Sequence, residues 1–144
     1  MSRVERAVDL FSKGANCAQS VLWAFAEDMG MDKETALRVA TGFGGGMGRM
    51  AGVCGAVTGG CMALGLSKGM RATEDQDAKL KTYALVRELA ARFTAKNSST
   101  ICRDILGVDI GTEAGHQAAQ DKNLFNTRCV DCVKDAVRIV ERLI

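Results

Sequence analysis

Six cysteines carry most of the chemistry this chain has to offer: Cys17, Cys54, Cys61, Cys102, Cys129 and Cys132. A cysteine is nucleophilic and metal-binding as its thiolate, and that form is favoured where a helix begins, because unpaired backbone N–H groups put partial positive charge there. Cys129 and Cys132 form a CxxC, a spacing that sets two sulfurs on one side of a helix start and suits a reversible disulfide or two ligands of a metal. They are the candidate exchanging pair. Cys17, Cys54 and Cys102 each stand beside a polar or glycine-rich break, so they too fall near expected helix starts. The candidate ligands of a thiolate-bound metal centre are therefore Cys17, Cys54, Cys102 and Cys132, with Cys129 as substitute. Cys61 follows Cys54 by seven residues, about 10.5 Å along a straight helix. A disulfide needs Cα atoms within about 7 Å, so Cys61 reads as a buried small hydrophobe, or as a residue meeting some other cysteine, rather than as the partner of Cys54. The single histidine, His116, sits in a polar neighbourhood and reads as exposed or satisfied rather than as a ligand.

Glycine is the second chemical signal. Nine of the sixteen glycines lie between Gly42 and Cys61, where the backbone is selected for special dihedrals or close approach. The stretch lacks the Gly-Lys-Ser/Thr ending of a P-loop and follows no strand, so it offers little support for nucleotide binding despite Arg49. Gly44, Gly45 and Gly46 are candidate cofactor-binding residues, able to bring backbone N–H groups up to cluster sulfides or a thiolate. The glycines after Cys54 are better explained by tight helix packing.

The elements that must position these residues are helices. Proline is absent, helix formers are frequent and no period-2 alternation is long enough for a strand. The expected fold is all-α, a single compact domain over 1–144 with about six helices and a Gly-rich loop leading into a buried Cys-bearing helix. Ser2 with Glu5 forms a capping box, Asn16 caps the helix that opens with Cys17, and Asp32 caps a short helix from Lys33 to about Thr41. Thr73 with Gln76 is expected to open the longest helix, with Leu80, Ala84, Leu85, Leu89 and Phe93 buried. One of Asn97, Ser98, Ser99 and Thr100 caps the Cys102 helix, a short helix is possible from Thr112, and Thr127 caps the last helix. Wide apolar faces on that last helix (Ala136, Ile139 and Leu143 beside the Val133 stripe) suggest a homodimer.

Composition sets the bounds. A chain of 144 residues suits one core, and 47% hydrophobic with 25% charged residues is ordinary for a globular protein. Charges of both signs are interleaved at a net of +2, and with 5% aromatics nothing points to nucleic acid. No apolar run is long enough for a membrane span, and no signal peptide is visible at the N-terminus, so a cytoplasmic location is expected. In that reducing compartment six cysteines read as ligands, redox thiols or core residues rather than as a disulfide framework.

The chain resembles the redox-active proteins of the C_GCAxxG_C_C family. The resemblance rests on Asn16-Cys17-Ala18-Gln19-Ser20-Val21, Phe43-Gly44-Gly45-Gly46-Met47-Gly48, Cys54-Gly55-Ala56-Val57-Thr58-Gly59, Cys102 and the closing cysteines. It implies a redox role, with Cys17, Cys54 and Cys102 as signature positions, the fourth on Cys129 or Cys132, and Cys61 as an addition. The family context also implies a membrane transporter as a partner, beside an unknown redox partner. A related branch resembles the split-Soret cytochromes, which hold haem and an iron–sulfur centre. Haem is not expected here, because Val133 replaces the histidine of CxxCH and one histidine cannot supply two axial ligands. The first expectation is electron transfer through an iron–sulfur or other thiolate-bound metal centre. The alternatives are a thiol–disulfide oxidoreductase using the CxxC pair and a structural zinc site in a partner-docking protein.

Overall fold

The first helix begins where its capping box places it. Ser2 Oγ accepts the Glu5 N–H at 3.1 Å and the Glu5 carboxylate accepts the Ser2 N–H at 2.7 Å, opening α1 (Arg3–Ser12). The computed structural model describes all residues from Met1 to Ile144. Asn16 and Gln19 repeat the reciprocal pattern, at 2.9 and 2.8 Å, to open α2 (Cys17–Ala26). The Gln19 amide also donates to the Leu37 carbonyl and Thr41 Oγ1. These bonds tie the start of α2 to the end of α3 (Lys33–Ala40), which Asp32 caps. A 3-10 turn, Thr41–Phe43, then leads into the glycine loop.

Five further helices follow: α4 (Gly55–Lys68), α5 (Gln76–Asn97), α6 (Cys102–Leu106), α7 (Glu113–Asp121) and α8 (Arg128–Leu143). The fold is all-α, with eight helices where about six were expected, and the short α6 and α7 fall where the Cys102 helix and the Thr112 start were read. The one extended pairing is an isolated antiparallel bridge between Val53 and Ile101.

Three caps differ from expectation. Asp75, not Thr73, caps α5 by accepting the Ala78 N–H at 3.2 Å, while Gln76 turns back to the Thr73 carbonyl. Thr127 precedes α8 but its hydroxyl donates to the Asn123 carbonyl at 2.8 Å and caps nothing. Ahead of α6, Ser99 accepts the Ile101 N–H and donates to Asp104, acting from three residues before the helix.

α2 is the spine, with seven of its ten residues buried. It packs along α4 through the small residues that looked costly in sequence. A Cβ on Gly59 would stand 2.6 Å from the Ala18 carbonyl oxygen, and one on Gly55 would stand 3.0 Å from the Ala18 nitrogen. Glycine is needed at both contacts. The main core joins Val21 and Phe25 of α2 to Leu64, Leu89, Phe93, Val133, Val137 and Val140. A second cluster, Ala18, Leu22, Ala26, Ala36 and Ala40, fills the space between α2 and α3. A third, Ala51, Cys102, Leu106, Ile110 and Ala119, lies beneath α6 and α7.

Leu80 was expected in the core and is instead 63% exposed, on a stretch of α5 where Lys81 and Tyr83 are exposed too. Ala84 is exposed as well, whereas Leu89 and Phe93 are fully buried. Ala136 and Ile139 pack inside this chain's own core, so the apolar breadth of α8 no longer argues for a dimer.

Candidate redox site

Four helix starts bring five thiols to one place. Cys17 is the first residue of α2, Cys54 directly precedes α4, Cys102 opens α6, and Cys129 and Cys132 occupy the first turns of α8. All five line a single cavity of about 340 Å³, whose remaining wall is largely apolar and includes Phe11, Ile105, Leu106, Ile110 and Phe125. Cys61 is not on that wall. It lies half-buried against the main core, and burial pushes its thiol pKa up.

Backbone strands the sequence keeps apart are laced together at this site. The Cys54 N–H donates to the Thr100 carbonyl at 2.7 Å and the Cys102 N–H to the Gly52 carbonyl at 2.7 Å. The starts of α4 and α6 are thereby fixed side by side. Gly55 has no Cβ to push Cys17 away, since one there would lie 3.1 Å from the Cys17 Cβ. The glycine loop forms the facing wall through Gly45 and Gly46. Gly44 is not part of it; a Cβ at that position would collide with the Asn16 side chain, so Gly44 serves the α2 cap.

The loop is wound against the chain's handedness. Gly45, Gly46, Met47, Gly48 and Arg49 are consecutive residues with φ between 59° and 70°, and Ala51 repeats the conformation at 58°. Each L-residue with a side chain is strained there, by about 1–2 kcal/mol. Hydrogen bonds hold the winding, from Gly48 to Gly42, Arg49 to Gly44, Ala51 to Gly45 and Gly52 to Gly46.

The electrostatics single out Cys54. The Cys132 thiol beside it, the N–H groups of Ala56 and Val57 at the start of α4 and the Arg128 charge hold its pKa below the ordinary thiol value, against the effect of burial. The same contact acts in reverse on Cys132, whose pKa is driven far up by donating to Cys54 and by burial. Cys17 is raised by its hydrogen bond with Cys129 and by burial. Cys102 is pushed up to about 12, first by burial and then by its negative neighbours. Of the cavity thiols whose pKa is shifted, Cys54 alone is lowered, while Cys17, Cys102 and Cys132 are raised.

A buried amide organises the inner end. Asn97, 1% exposed, accepts from Arg128 Nη1 at 2.7 Å through its side-chain oxygen, and its carbonyl accepts from Nη2 at 3.3 Å. Its Nδ2 donates to Asp135 and to the Phe93 carbonyl, and its Oδ1 lies 3.8 Å from Cys132 Sγ. Asn97 and Arg128 were missed as site residues in sequence, where Asn97 marked only a polar break with a possible cap and nothing drew attention to Arg128. His116 also lines the cavity, half-buried with its ring 5.4 Å from that of Phe125, rather than standing in solvent. No group of three or more His, Cys, Asp or Glu side chains stands close enough to hold one metal ion.

A family model described as "Putative redox-active protein (C_GCAxxG_C_C)" matches residues 15–143. The chain belongs to the C_GCAxxG_C_C family. Membership gives it a redox role, and the matched region contains the glycine loop and all six cysteines. No curated protein and no solved structure matches the chain. Within this C_GCAxxG_C_C fold no helix is long and apolar enough to cross a membrane.

Proposed function

We propose that the chain is a dithiol–disulfide redox protein whose reacting couple is Cys54 with Cys132. The observation that carries this reading is the position of Cys54 directly before α4 on the shared cavity wall with Cys132, where the Cys132 thiol, first among the influences, lowers its pKa and so favours the thiolate. The thiolate is the attacking form in disulfide exchange, and the adjacent thiol is placed to resolve the product. Cys54 Sγ attacks one sulfur of a substrate disulfide, expelling the other as a thiolate that takes up a proton. Cys132, as it loses its proton, attacks Cys54 Sγ and releases the second substrate sulfur. Two electrons pass from the couple to the substrate, and a Cys54–Cys132 disulfide remains. This reading pairs Cys132 with Cys54 across two helices rather than with Cys129 along one, because the mutual effect of Cys54 and Cys132 is the leading influence on each thiol.

A second reading keeps the iron–sulfur centre. It is favoured by the convergence of five thiols on one mostly apolar cavity with the Gly45 and Gly46 backbone on its wall. A cluster needs about four thiolates and no histidine. Cys17, Cys54, Cys102 and Cys132 would hold it, with Cys129 in reserve, and it would supply one-electron transfer. A single-ion zinc site draws no support from this arrangement, because no three donors converge on one point.

Protein purified without oxygen, assayed for iron, zinc and acid-labile sulfide and then titrated with a small disulfide, separates the two. Metal-free protein that consumes the disulfide and yields a Cys54–Cys132 link supports the dithiol reading. Iron with matching sulfide and a brown chromophore rejects it in favour of the cluster.

A further inference from the structure

We propose that the cavity receives a small disulfide with an apolar body and a single carboxylate, which Arg49 holds at the mouth while the sulfurs reach the thiols behind it. The inference rests on the dithiol reading and names the class of substrate that reading needs. Depth sets the size of that substrate. Cys132 is 1%, Cys54 7% and Cys102 8% exposed, too deep for a disulfide carried on the surface of a folded protein. A substrate must enter the cavity, and about 340 Å³ lies at the small end of ligand sites, which run to roughly 300–1,000 Å³.

The wall sets its chemistry. Phe11, Ile105, Leu106, Ile110 and Phe125 offer an apolar carbon body a place out of water. Arg49 is the one side chain of fixed charge on the wall, which carries no Asp, Glu or Lys. Gly14, Arg49 and Gln120 are its exposed residues, so they mark the mouth. A Cβ on Gly111 would stand 3.0 Å from the Arg49 carbonyl oxygen, so the chain entering α7 is held against Arg49. His116 and Gln120, four residues apart on one side of α7 and both on the wall, bring further hydrogen-bonding groups to the same region.

Arg49 stands where a side chain is unexpected. Its φ is 64°, in a run where Gly45, Gly46 and Gly48 adopt the same conformation without strain. Nothing in the chain uses its guanidinium, which enters no ion pair, side-chain hydrogen bond or aromatic contact. Asp109 lies close by, but its carboxylate accepts the Gly111 N–H at 2.8 Å and does not reach the wall. Arg128 is the contrast, a guanidinium held on both sides by Asn97. A strained residue whose side chain serves no internal contact points to a ligand, and the planar fork of arginine suits a carboxylate.

The test uses a matched pair of probes, pyridyldithio-propanoate and its primary amide, which differ in charge and share the disulfide and the apolar ring. Two protein thiols give two electrons and two protons to each probe. The probe's S–S bond breaks as one thiol joins the propanoate sulfur and coloured pyridinethione leaves; a second thiol displaces that sulfur, closing a protein disulfide and releasing mercaptopropanoate. Rates are measured without oxygen on fully reduced protein and referred to those of free dithiothreitol with the same pair. The carboxylate probe should react about tenfold or more faster than the amide. That preference should fall to about onefold in Arg49→Gln and in Arg49→Gly, the second of which suits the left-handed dihedral and keeps the loop, and should survive in part in Arg49→Lys. Equal rates in the native protein, or a preference that persists in both uncharged variants, overturn the inference while leaving the dithiol reading in place. A propanoate sulfur that stays bound to the protein shows that no second thiol resolves it, which defeats the dithiol reading and this inference together.

Discussion

At the scale of single residues the site works by unequal treatment of equal groups. Five thiols share a cavity, yet Cys54 alone has its pKa lowered, by the Cys132 thiol, the N–H groups of Ala56 and Val57 and the Arg128 charge. With iodoacetamide, Cys54 should alkylate at lower pH than Cys17, Cys61, Cys102 or Cys132, read by mass mapping across a pH series. The Arg128→Met variant should move that profile upward, because the loss of a nearby cation disfavours the thiolate. Cys102 makes the opposite prediction. Its folded pKa of about 12 lies above the ordinary thiol value of 9.0, so between those limits the unfolded chain releases a proton that the folded chain keeps. Its contribution to stability is complete below about pH 9 and is lost as pH rises toward 12. Urea unfolding should show that decline in the native protein and less of it in Cys102→Ala. Asn97 could not have been picked out from sequence, because its value lies in joining Arg128 and Asp135, which are 31 and 38 residues away.

At the scale of elements, local rules reached far and then stopped. Reciprocal caps at Ser2/Glu5 and Asn16/Gln19 and the Asp32 cap were legible because their partners lie three residues apart, and each contributes about 1 kcal/mol. The Thr73 and Thr127 caps failed for a physical reason. Hydroxyls also bond to nearby carbonyls, as Thr127 does to Asn123, and a carboxylate such as Asp75 competes for the same role. The glycines of α4 were read correctly as a packing surface, and they now separate into two kinds. Gly59→Ala drives a Cβ into the Ala18 carbonyl and should cost about 1–3 kcal/mol in denaturant unfolding. Gly65→Ala meets nothing within 4 Å on the same helix and should gain up to about 1 kcal/mol.

At the scale of the whole molecule, the cavity lies where the main core meets the smaller cluster under α6 and α7. Cys54 and Cys132 belong to the first and Cys102 to the second, with Cys129 packed against it. The smaller cluster has five buried residues against seventeen, so its elements should open at lower free energy. Amide hydrogens of α6 and α7 should exchange before those of α2 and α4, as measured by native-state hydrogen exchange. Such opening would uncover Cys102 and Cys129 without unfolding the spine. The fold class was legible because helical periodicity is local, and so was the placing of cysteines at helix starts. Their meeting at one cavity was a guess in sequence terms, since it depends on backbone bonds such as Cys54 to Thr100 that span the length of α4 and α5.

The reversed winding of residues 45–49 has a consequence for mirror-image chemistry. At Gly48, φ is +59° and no atom lies within 4 Å of an added L-side-chain carbon, so the obstacle to L-alanine there is stereochemical rather than steric crowding by neighbours. A D-alanine prefers this very dihedral region. Installed by chemical ligation, with Cys54 as a ready junction, it should stabilise the protein by about 0.4–1 kcal/mol through a less flexible unfolded chain. Its enantiomer at the same position should destabilise by about 1–2 kcal/mol. The pair of synthetic proteins would have identical composition and opposite effects.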